Sequence, residues 1–141
     1  MPDVQIALTT AEIESCFHLM HQLHPALSQE TFVARVQLQQ QEGYRLAYLK
    51  DVSAIVSVAG FRIQNVLWSG RTLYVDDLVT DESNRGQGHG TAMLTWLIAH
   101  ARESGCDTFS LDTATHRRES HAFYFRHGLR ITDYHFQLPL K

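Results

Sequence analysis

The sequence predicts an α/β fold of the α+β kind, in which helices cover both faces of one mixed sheet. Segments of alternating apolar and polar residues, typical of strands, are interspersed with segments of helical periodicity. Residues 73–80 carry apolar side chains on both faces, as a central strand covered on both sides does. A glycine-rich loop, an amphipathic helix and a further strand follow, which predicts a right-handed βαβ crossover.

Length and composition exclude several classes of protein. The 141 residues suit a single domain, residues 1–141, and no apolar run approaches the roughly 20 residues of a membrane-spanning helix. A formal net charge of −3 argues against binding to nucleic acid. Cys16 and Cys106 lack a metal-type spacing, and no basic region with an apolar block opens the chain. We therefore expect a cytoplasmic protein with reduced thiols and no membrane contact.

The first half of the chain predicts two helices and a run of strands. In order, the segments are a strand over residues 4–8, a helix ended by Pro25, a helix to about Glu42, and a hairpin of strands over 45–49 and 54–63. Thr9 or Thr10 caps the first helix, and Ser28 caps the second. Gly60 marks a bulge in the second strand of the hairpin.

Two adjacent aspartates interrupt the strand over residues 73–80. Alternation places Asp77 on the same face as Val75 and Val79, and Asp76 on the opposite face. Aspartate is depleted in strands, and a buried carboxylate is costly unless it is paired. Two interpretations stay open. One aspartate lies at a bulge or reaches solvent, or a carboxylate in a cleft acts as a base or binds a cation.

The glycine-rich loop is the strongest indication of a binding site. Gly86, Gly88 and Gly90 follow the strand and precede a helix that ends at Gly105. Such a junction directs backbone N–H groups and the positive end of a helix dipole at one point, which suits a phosphate or pyrophosphate. The loop lacks the Gly-Lys-Ser/Thr of nucleoside-triphosphate sites, and its glycines do not have the G-x-G-x-x-G spacing of dinucleotide sites.

The C-terminal third predicts a strand, a short helix and a last strand, over residues 108–114, 120–127 and 130–138. No metal site is predicted anywhere in the chain. His18, His21 and His24 stand three apart on the first helix, but they drift around it, and no carboxylate or cysteine joins the row. We therefore interpret the row as an edge that faces solvent or substrate.

Two stretches resemble one family. The spacing Arg85-x-x-Gly88-x-Gly90 resembles the Q/R-x-x-G-x-G/A signature of the GNAT superfamily of acyl-CoA-dependent N-acetyltransferases. The stretch Ser120-His-Ala-Phe-Tyr-Phe-Arg-His-Gly-Leu129 is similar to that family's A-x-x-F-Y-x-x-x-G-F, with Tyr124 on the family tyrosine. The resemblance implies a mixed sheet of six to seven strands, splayed into a V with the thioester arm in the gap.

The resemblance also implies acetyl-CoA as the cofactor and assigns residues to it. The strand end pairs with the pantetheine arm, the loop amides hold the pyrophosphate, and Arg117 is a candidate, with Arg118 and Arg126, for the 3′-phosphate. The implied cofactor-binding residues are Leu78, Val79, Thr80, Arg85, Gly86, Gln87, Gly88, His89, Gly90, Thr91 and Arg117.

The implied reaction is direct attack of a primary amine on the acetyl thioester within a ternary complex. Asp77 or Asp76 is the candidate base, and Tyr124 resembles the family's general acid. The expected partner is a small-molecule or peptide amine, and a homodimer is left open. Two alternatives remain at this stage: a non-catalytic acyl-CoA-binding or sensor domain on the same fold, and a small dinucleotide-binding module.

Overall fold

The structure, a computed structural model, describes residues 3–141. The strands are β1 (Asp3–Ile6), β2 (Tyr44–Asp51), β3 (Ala54–Val66), β4 (Gly70–Thr80) and β5 (Thr108–Leu111). The helices are α1 (Thr10–Ser15), α2 (Phe17–Leu23), α3 (Gln29–Gln41), α4 (His89–Glu103) and α5 (Arg118–Arg126), with a 3₁₀ turn at Glu82–Asn84. The chain forms two compact units, one ending at Ser110 and the other spanning Leu111–Lys141.

The strands form one mixed sheet in the order β1-β2-β3-β4-β5. Strands β1 to β4 are successive antiparallel neighbours, with Val58 of β3 opposite Val79 of β4. After α4 the chain returns to the end of the sheet where β4 starts, because the Asp107 N–H donates to the Arg71 carbonyl oxygen at 2.7 Å. Strand β5 therefore runs parallel to β4, which confirms the predicted mixed sheet.

The sheet has fewer strands than the six or seven that the sequence analysis predicts. Five are present among residues 3–141, and the last strand predicted over residues 130–138 is absent. Alternating apolar residues indicate an extended chain, but a strand also needs a neighbouring backbone to pair with. No residue of the segment 130–141 takes part in a strand ladder. The V-shaped splay of the sheet stays a prediction.

Helices cover both faces of the sheet, as predicted. On one face, α1, α2 and α3 pack on β2, β3 and the end of β4 through a cluster that includes Ile13, Leu19, Met20, Phe32, Val36, Leu46, Tyr48, Val58 and Val79. On the other face lies α4, whose Met93, Leu94 and Leu97 are fully buried. Phe61 of β3 points to that second face, where its ring meets Trp96 of α4 edge-on, with the ring centroids 6.1 Å apart.

The helix ends follow local signals, with one correction. Thr9 caps α1 and Ser28 caps α3 with their side chains, which confirms both predicted caps. The single helix predicted up to Pro25 is instead two helices that meet at Cys16. The Cys16 N–H donates to the oxygen of Ile13, three residues earlier, and not four residues earlier as in an α-helix. The spacing of four returns with the Met20 N–H, which donates to the Cys16 oxygen. A break of one residue leaves the apolar periodicity almost unchanged, so the sequence does not reveal it.

None of the helices within residues 3–141 combines the length and apolar character needed to cross a bilayer. Cys16 and Cys106 are both free thiols, and Cys16 is buried in the core.

Candidate active site

An extra residue in β4 brings the two adjacent aspartates to the same face of the sheet. Asp77 is opposite Gly60 of β3 and Val75 is opposite Phe61, so Asp76 has no partner across the ladder. This bulge shifts the alternation by one residue, and the predicted placement of the aspartates on opposite faces is therefore wrong. The interpretation that one aspartate lies at a bulge is confirmed. The register shift lies at Gly60, the glycine predicted to mark a bulge, but the extra residue belongs to β4 and not to β3.

Asp76 is held in an ion pair with Arg62 of β3. The Arg62 Nε and Nη2 atoms donate to the two carboxylate oxygens at 3.1 and 2.9 Å, a bidentate arrangement. Arg62 also donates to Gln39 of α3 at 3.3 Å, so the pair lies on the face covered by the first three helices. Burial raises the pKa of Asp76, and the guanidinium opposes that shift. Asp76 thus has a structural partner that competes with any catalytic use.

Asp77 accepts hydrogen bonds from two other elements. The Tyr44 hydroxyl of β2 donates to Oδ2 at 2.8 Å, and His24 Nε2, just after α2, lies 2.7 Å from Oδ1. Tyr44 is buried, and burial, followed by the charge of Asp77, raises its pKa well above the ordinary value, so its hydroxyl remains a donor. Gly60 makes room for this contact, because a Cβ there would overlap the Tyr44 hydroxyl.

The end of β4, residues 78–80, has one paired edge and one open edge. On the first edge Leu78 and Thr80 lie opposite Ala59 and Ser57 of β3. On the second edge the neighbour is β5, which has four residues against the eleven of β4 and starts beside Arg71. At about 3.3 Å per residue, β5 ends well before residues 78–80. Within residues 3–141 no strand lies along that edge, which suits an extended ligand arm added like a strand.

The glycine-rich loop leads into α4 without a side-chain cap. Gly86 and Gly88 have φ of 83° and 82°, a left-handed conformation that favours glycine, and Gly88 is the N-cap residue. The first hydrogen bond inside the helix runs from the Ala92 N–H to the Gly88 oxygen at 2.9 Å. The amides of His89 and Gly90 precede it and point out of the helix end. Consecutive amides of this kind form a concave anion site, which fits a diphosphate.

His89 contributes to this loop through its backbone. Its ring is largely buried, and Nε2 lies 3.7 Å from Asp51 Oδ2, at the end of β2, without a hydrogen bond. The exposed residues of the loop are Arg85, Gly86, Gln87, Gly88 and Thr91. The predicted residues 78–80 and 85–91 both belong to the first unit, where they form the end of β4 and the loop and first turn of α4.

Arg117 and Tyr124 belong to the second unit. Arg117 is the residue before α5 and is exposed, and Tyr124 lies on α5 with its ring half-buried, edge-on to Phe123 at 5.4 Å. Burial raises the pKa of Tyr124, against an opposing effect of Arg117, so the hydroxyl is protonated at neutral pH. Gly128, at φ 87°, follows the end of the helix as predicted.

Sequence reasoning missed the partners of the two aspartates. Tyr44, Arg62 and His24 reach β4 from three separate elements, and none of them has a local motif. The signal that existed was Gly60. A glycine in a strand indicates a close approach by another group, and here that group is the Tyr44 hydroxyl.

Comparison with known proteins decides the family. A sequence model described as "Acetyltransferase (GNAT) family" matches residues 10–129, which include the glycine-rich loop and the Tyr124 stretch. The chain belongs to this family. The resemblance that the two motifs indicated is therefore confirmed.

Individual GNAT relatives cover most of the chain. The uncharacterized N-acetyltransferase YhdJ of Bacillus subtilis (strain 168) is 30% identical over 126 residues, which are 88% of this chain and 89% of that protein. The aminoalkylphosphonate N-acetyltransferase of Salmonella typhimurium is 31% identical over 99 residues, which are 69% of this chain and 62% of that protein. The aminoglycoside N-acetyltransferase AAC(6′)-Iy, solved in complex with CoA, matches 99% of this chain and 94% of its own with a TM-score of 0.84 and 14% identity, a likeness of fold alone.

Membership of the GNAT family makes this protein a transferase. The supported reaction class is acyl transfer to an amine, and the supported type of cofactor is coenzyme A.

Proposed function

We propose that this GNAT protein transfers an acetyl group from acetyl-CoA to a primary amine, by direct attack of the amine in a ternary complex. The observation that carries the proposal is the start of α4. Its N-cap residue, Gly88, provides no side-chain cap, and this glycine of the family signature has a positive φ, as Gly86 before it does. Such a helix start favours a bound diphosphate.

Each part of the cofactor has a candidate site on the chain. The N–H groups of residues 85–91 hold the pyrophosphate, and the open edge of residues 78–80 pairs with the pantetheine arm. Arg117, exposed at the start of α5, binds the 3′-phosphate by charge. When bound, acetyl-CoA supplies an acetyl thioester as the activated acyl donor.

The amine has to lose a proton before it attacks. An alkyl ammonium ion has a pKa of about 10.4, so its deprotonation at pH 7 costs roughly 4–5 kcal/mol. Asp76 and Asp77 supply negative charge directly before residues 78–80, which favours the approach of a cation. Because Arg62 engages Asp76, we assign the base function to Asp77 and its hydrogen-bond partners.

Tyr124 is the proposed general acid, which gives its proton to the departing sulfur. Its raised pKa keeps the hydroxyl protonated at neutral pH. The Tyr124→Phe variant should lower kcat by about 10²–10⁴-fold, because proton donation is lost while the ring is kept. The measurement is free-thiol release from acetyl-CoA, alongside calorimetric titration with acetyl-CoA, whose affinity should be unchanged.

The matched control for that variant is Tyr134→Phe, which removes the hydroxyl of a tyrosine that is 85% exposed. Its kcat should equal that of the wild type. An unchanged kcat in Tyr124→Phe would refute the role of Tyr124. A wild type that binds acetyl-CoA but releases no thiol with any amine would make the chain a non-catalytic binding domain.

The proposed substrate is a small primary amine. One relative is named for aminoalkylphosphonates, which are amines of this kind. A panel of aminoalkylphosphonates, polyamines, amino acids, aminoglycosides and short peptides, scored by free-thiol release, tests this class. A peptide acceptor, a homodimer and a cytoplasmic location stay predictions of the sequence.

A further inference from the structure

We propose that His24 is the catalytic base of the acetyl transfer, and that Asp77 and Tyr44 are residues that position its ring. The proton passes from the nitrogen of the ammonium substrate to Nδ1 of His24, which leaves a neutral amine with a free electron pair and an imidazolium ion. Asp77 stabilises the imidazolium charge, and water then removes the proton. This inference rests on the proposed function and names its base.

The bond to Asp77 determines which ring nitrogen is available. His24 Nε2 lies 2.7 Å from Asp77 Oδ1. An ionised carboxylate only accepts hydrogen bonds, so Nε2 carries the hydrogen, and Nδ1 of the neutral ring has the free electron pair. Within residues 3–141 no hydrogen bond engages Nδ1, and the His24 side chain is 47% exposed. The ring that carries the basic nitrogen is therefore about half exposed.

Both members of the pair are held in place. The Tyr44 hydroxyl donates to the second oxygen of Asp77 at 2.8 Å, and Gly60 leaves the space for that hydroxyl. His24 is the C-cap residue that follows α2, and its N–H donates to the Met20 oxygen at 2.8 Å. A carboxylate that orients an imidazole and stabilises its charged form is a recurring arrangement for a general base.

The end of α2 is also tied to the end of β4, where the thioester arm is proposed to lie. Gln22 Nε2 donates to Asp81 Oδ1 at 3.2 Å, and the Glu82 N–H donates to Gln22 Oε1 at 3.3 Å. These bonds link α2 to Asp81 and Glu82, the two residues that directly follow Thr80. The ring of His24 thereby stays next to the strand segment that begins with Asp77.

The alternative bases are less suitable for chemical reasons. Asp76 is occupied by the bidentate bond from Arg62, and the Asp77 side chain is only 17% exposed, with both oxygens engaged. Imidazole is also the side chain that most often serves as a general base at neutral pH.

The first test compares His24→Gln, Asp77→Asn and the double variant. His24→Gln should lower kcat by about 10²–10⁴-fold, with acetyl-CoA affinity unchanged by calorimetry. Asp77→Asn should lower kcat by a smaller factor. The double variant should have a kcat no lower than that of His24→Gln, because the two residues act as a unit. If Asp77 itself takes the proton, Asp77→Asn is the slower single variant and His24→Gln is close to wild type, which would overturn the proposal.

The second test is chemical rescue. Added imidazole should restore a measurable part of the thiol release of His24→Ala, because a small base can enter the space left by the ring. The matched control is His135→Ala, which removes the histidine of another histidine–carboxylate pair, that with Asp112 at 3.2 Å. The thiol release of the control should equal that of the wild type, and added imidazole should not change it. Loss of activity in His24→Ala without any rescue would indicate a merely structural role.

The third test needs no cofactor or substrate. In the unliganded protein, long-range ¹H–¹⁵N spectra should show the His24 ring in its Nε2–H tautomer, and the Asp77→Ala variant should lose that preference. A Nδ1–H tautomer in the wild type would contradict the proposal. If the wild type releases no thiol with any amine while this tautomer is found, the failure lies with the proposed function and not with the geometry of the pair.

Discussion

The helices α1 and α4 begin in opposite ways, although both follow a strand of the same sheet. At α1 the Thr9 side chain accepts the Glu12 N–H at 3.1 Å, and the Glu12 side chain accepts the Thr9 N–H at 3.1 Å. At α4 the N-cap residue is Gly88, at φ 82°, which provides no side-chain cap. The α1 start has acceptors within the chain, and the proposed function assigns a bound ligand to the α4 start.

The difference indicates that the start of α1 contributes to stability, whereas the start of α4 is suited to binding. A reciprocal cap such as that of α1 stabilises the fold, because it gives partners to amides that would otherwise lack them. The Tyr48 hydroxyl adds a bond of 2.6 Å to Glu12 and ties the cap to β2. The start of α4 forgoes that stabilisation, which is the arrangement expected where an anion is the partner.

The largest effect is expected from a substitution at the uncapped start of α4. Gly88→Val should weaken coenzyme A binding by about tenfold to 100-fold, or roughly 1.4–2.8 kcal/mol, because a β-branched residue resists positive φ and the amides change direction. Calorimetric titration with coenzyme A measures the loss.

The matched control is Gly105→Val, at the other end of α4. Gly105 has φ 74°, and like Gly88 it has no atom near the position of an added Cβ, so the two variants carry similar backbone strain. Gly105→Val should lose stability but keep its affinity for coenzyme A. Equal loss of affinity in the two variants would show that general destabilisation, and not the loop amides, explains the effect.

A smaller effect is expected from removing the side-chain cap of α1. Thr9→Ala should lower the free energy of unfolding by about 1 kcal/mol, because the Glu12 amide loses its acceptor. Urea denaturation measures this change. Coenzyme A affinity should stay at the wild-type value. A loss of affinity in this variant would contradict the claim that only the start of α4 contributes to coenzyme A binding.

The smallest effect is a pH dependence at the same cap. The hydrogen bond from Tyr48, with the amides of Thr9 and Leu8, lowers the pKa of Glu12 from 4.5 to about 2. Because the pKa of Glu12 is lower in the folded state, the ionised carboxylate stabilises the fold at pH values above 4.5. This contribution is lost as the pH falls from 4.5 to about 2. Glu12→Gln should therefore have a lower Tm than wild type at neutral pH, and the difference should vanish as pH approaches 2. A difference that is constant with pH would exclude the charge as its cause.

The contrast also explains how far the sequence could predict the site. The glycine-rich loop was found because its information is local: the left-handed residues Gly86 and Gly88 and the helix after them are contiguous. The cap at Thr9 was found for the same reason. Both depend on residues within four positions of one another.

The cluster around the bulge could not be predicted in the same way. Its members come from α2, β2, β3 and β4, and one extra residue in β4 reverses the faces that alternation assigns to Asp76 and Val75. The last predicted strand failed for a related reason. Alternation over residues 130–138 describes an extended chain, but the presence of a neighbouring strand depends on distant residues.

The central claim is that the amides at the start of α4 hold the diphosphate of coenzyme A. The most direct measurement is a ¹H–¹⁵N titration of the wild type, first with coenzyme A and then with acetyl-pantetheine, which lacks the diphosphate. We predict large shifts of the Gly88, His89 and Gly90 amides with coenzyme A and little change at these amides with acetyl-pantetheine. Equal shifts with both ligands, or none with coenzyme A at saturation, would contradict the account.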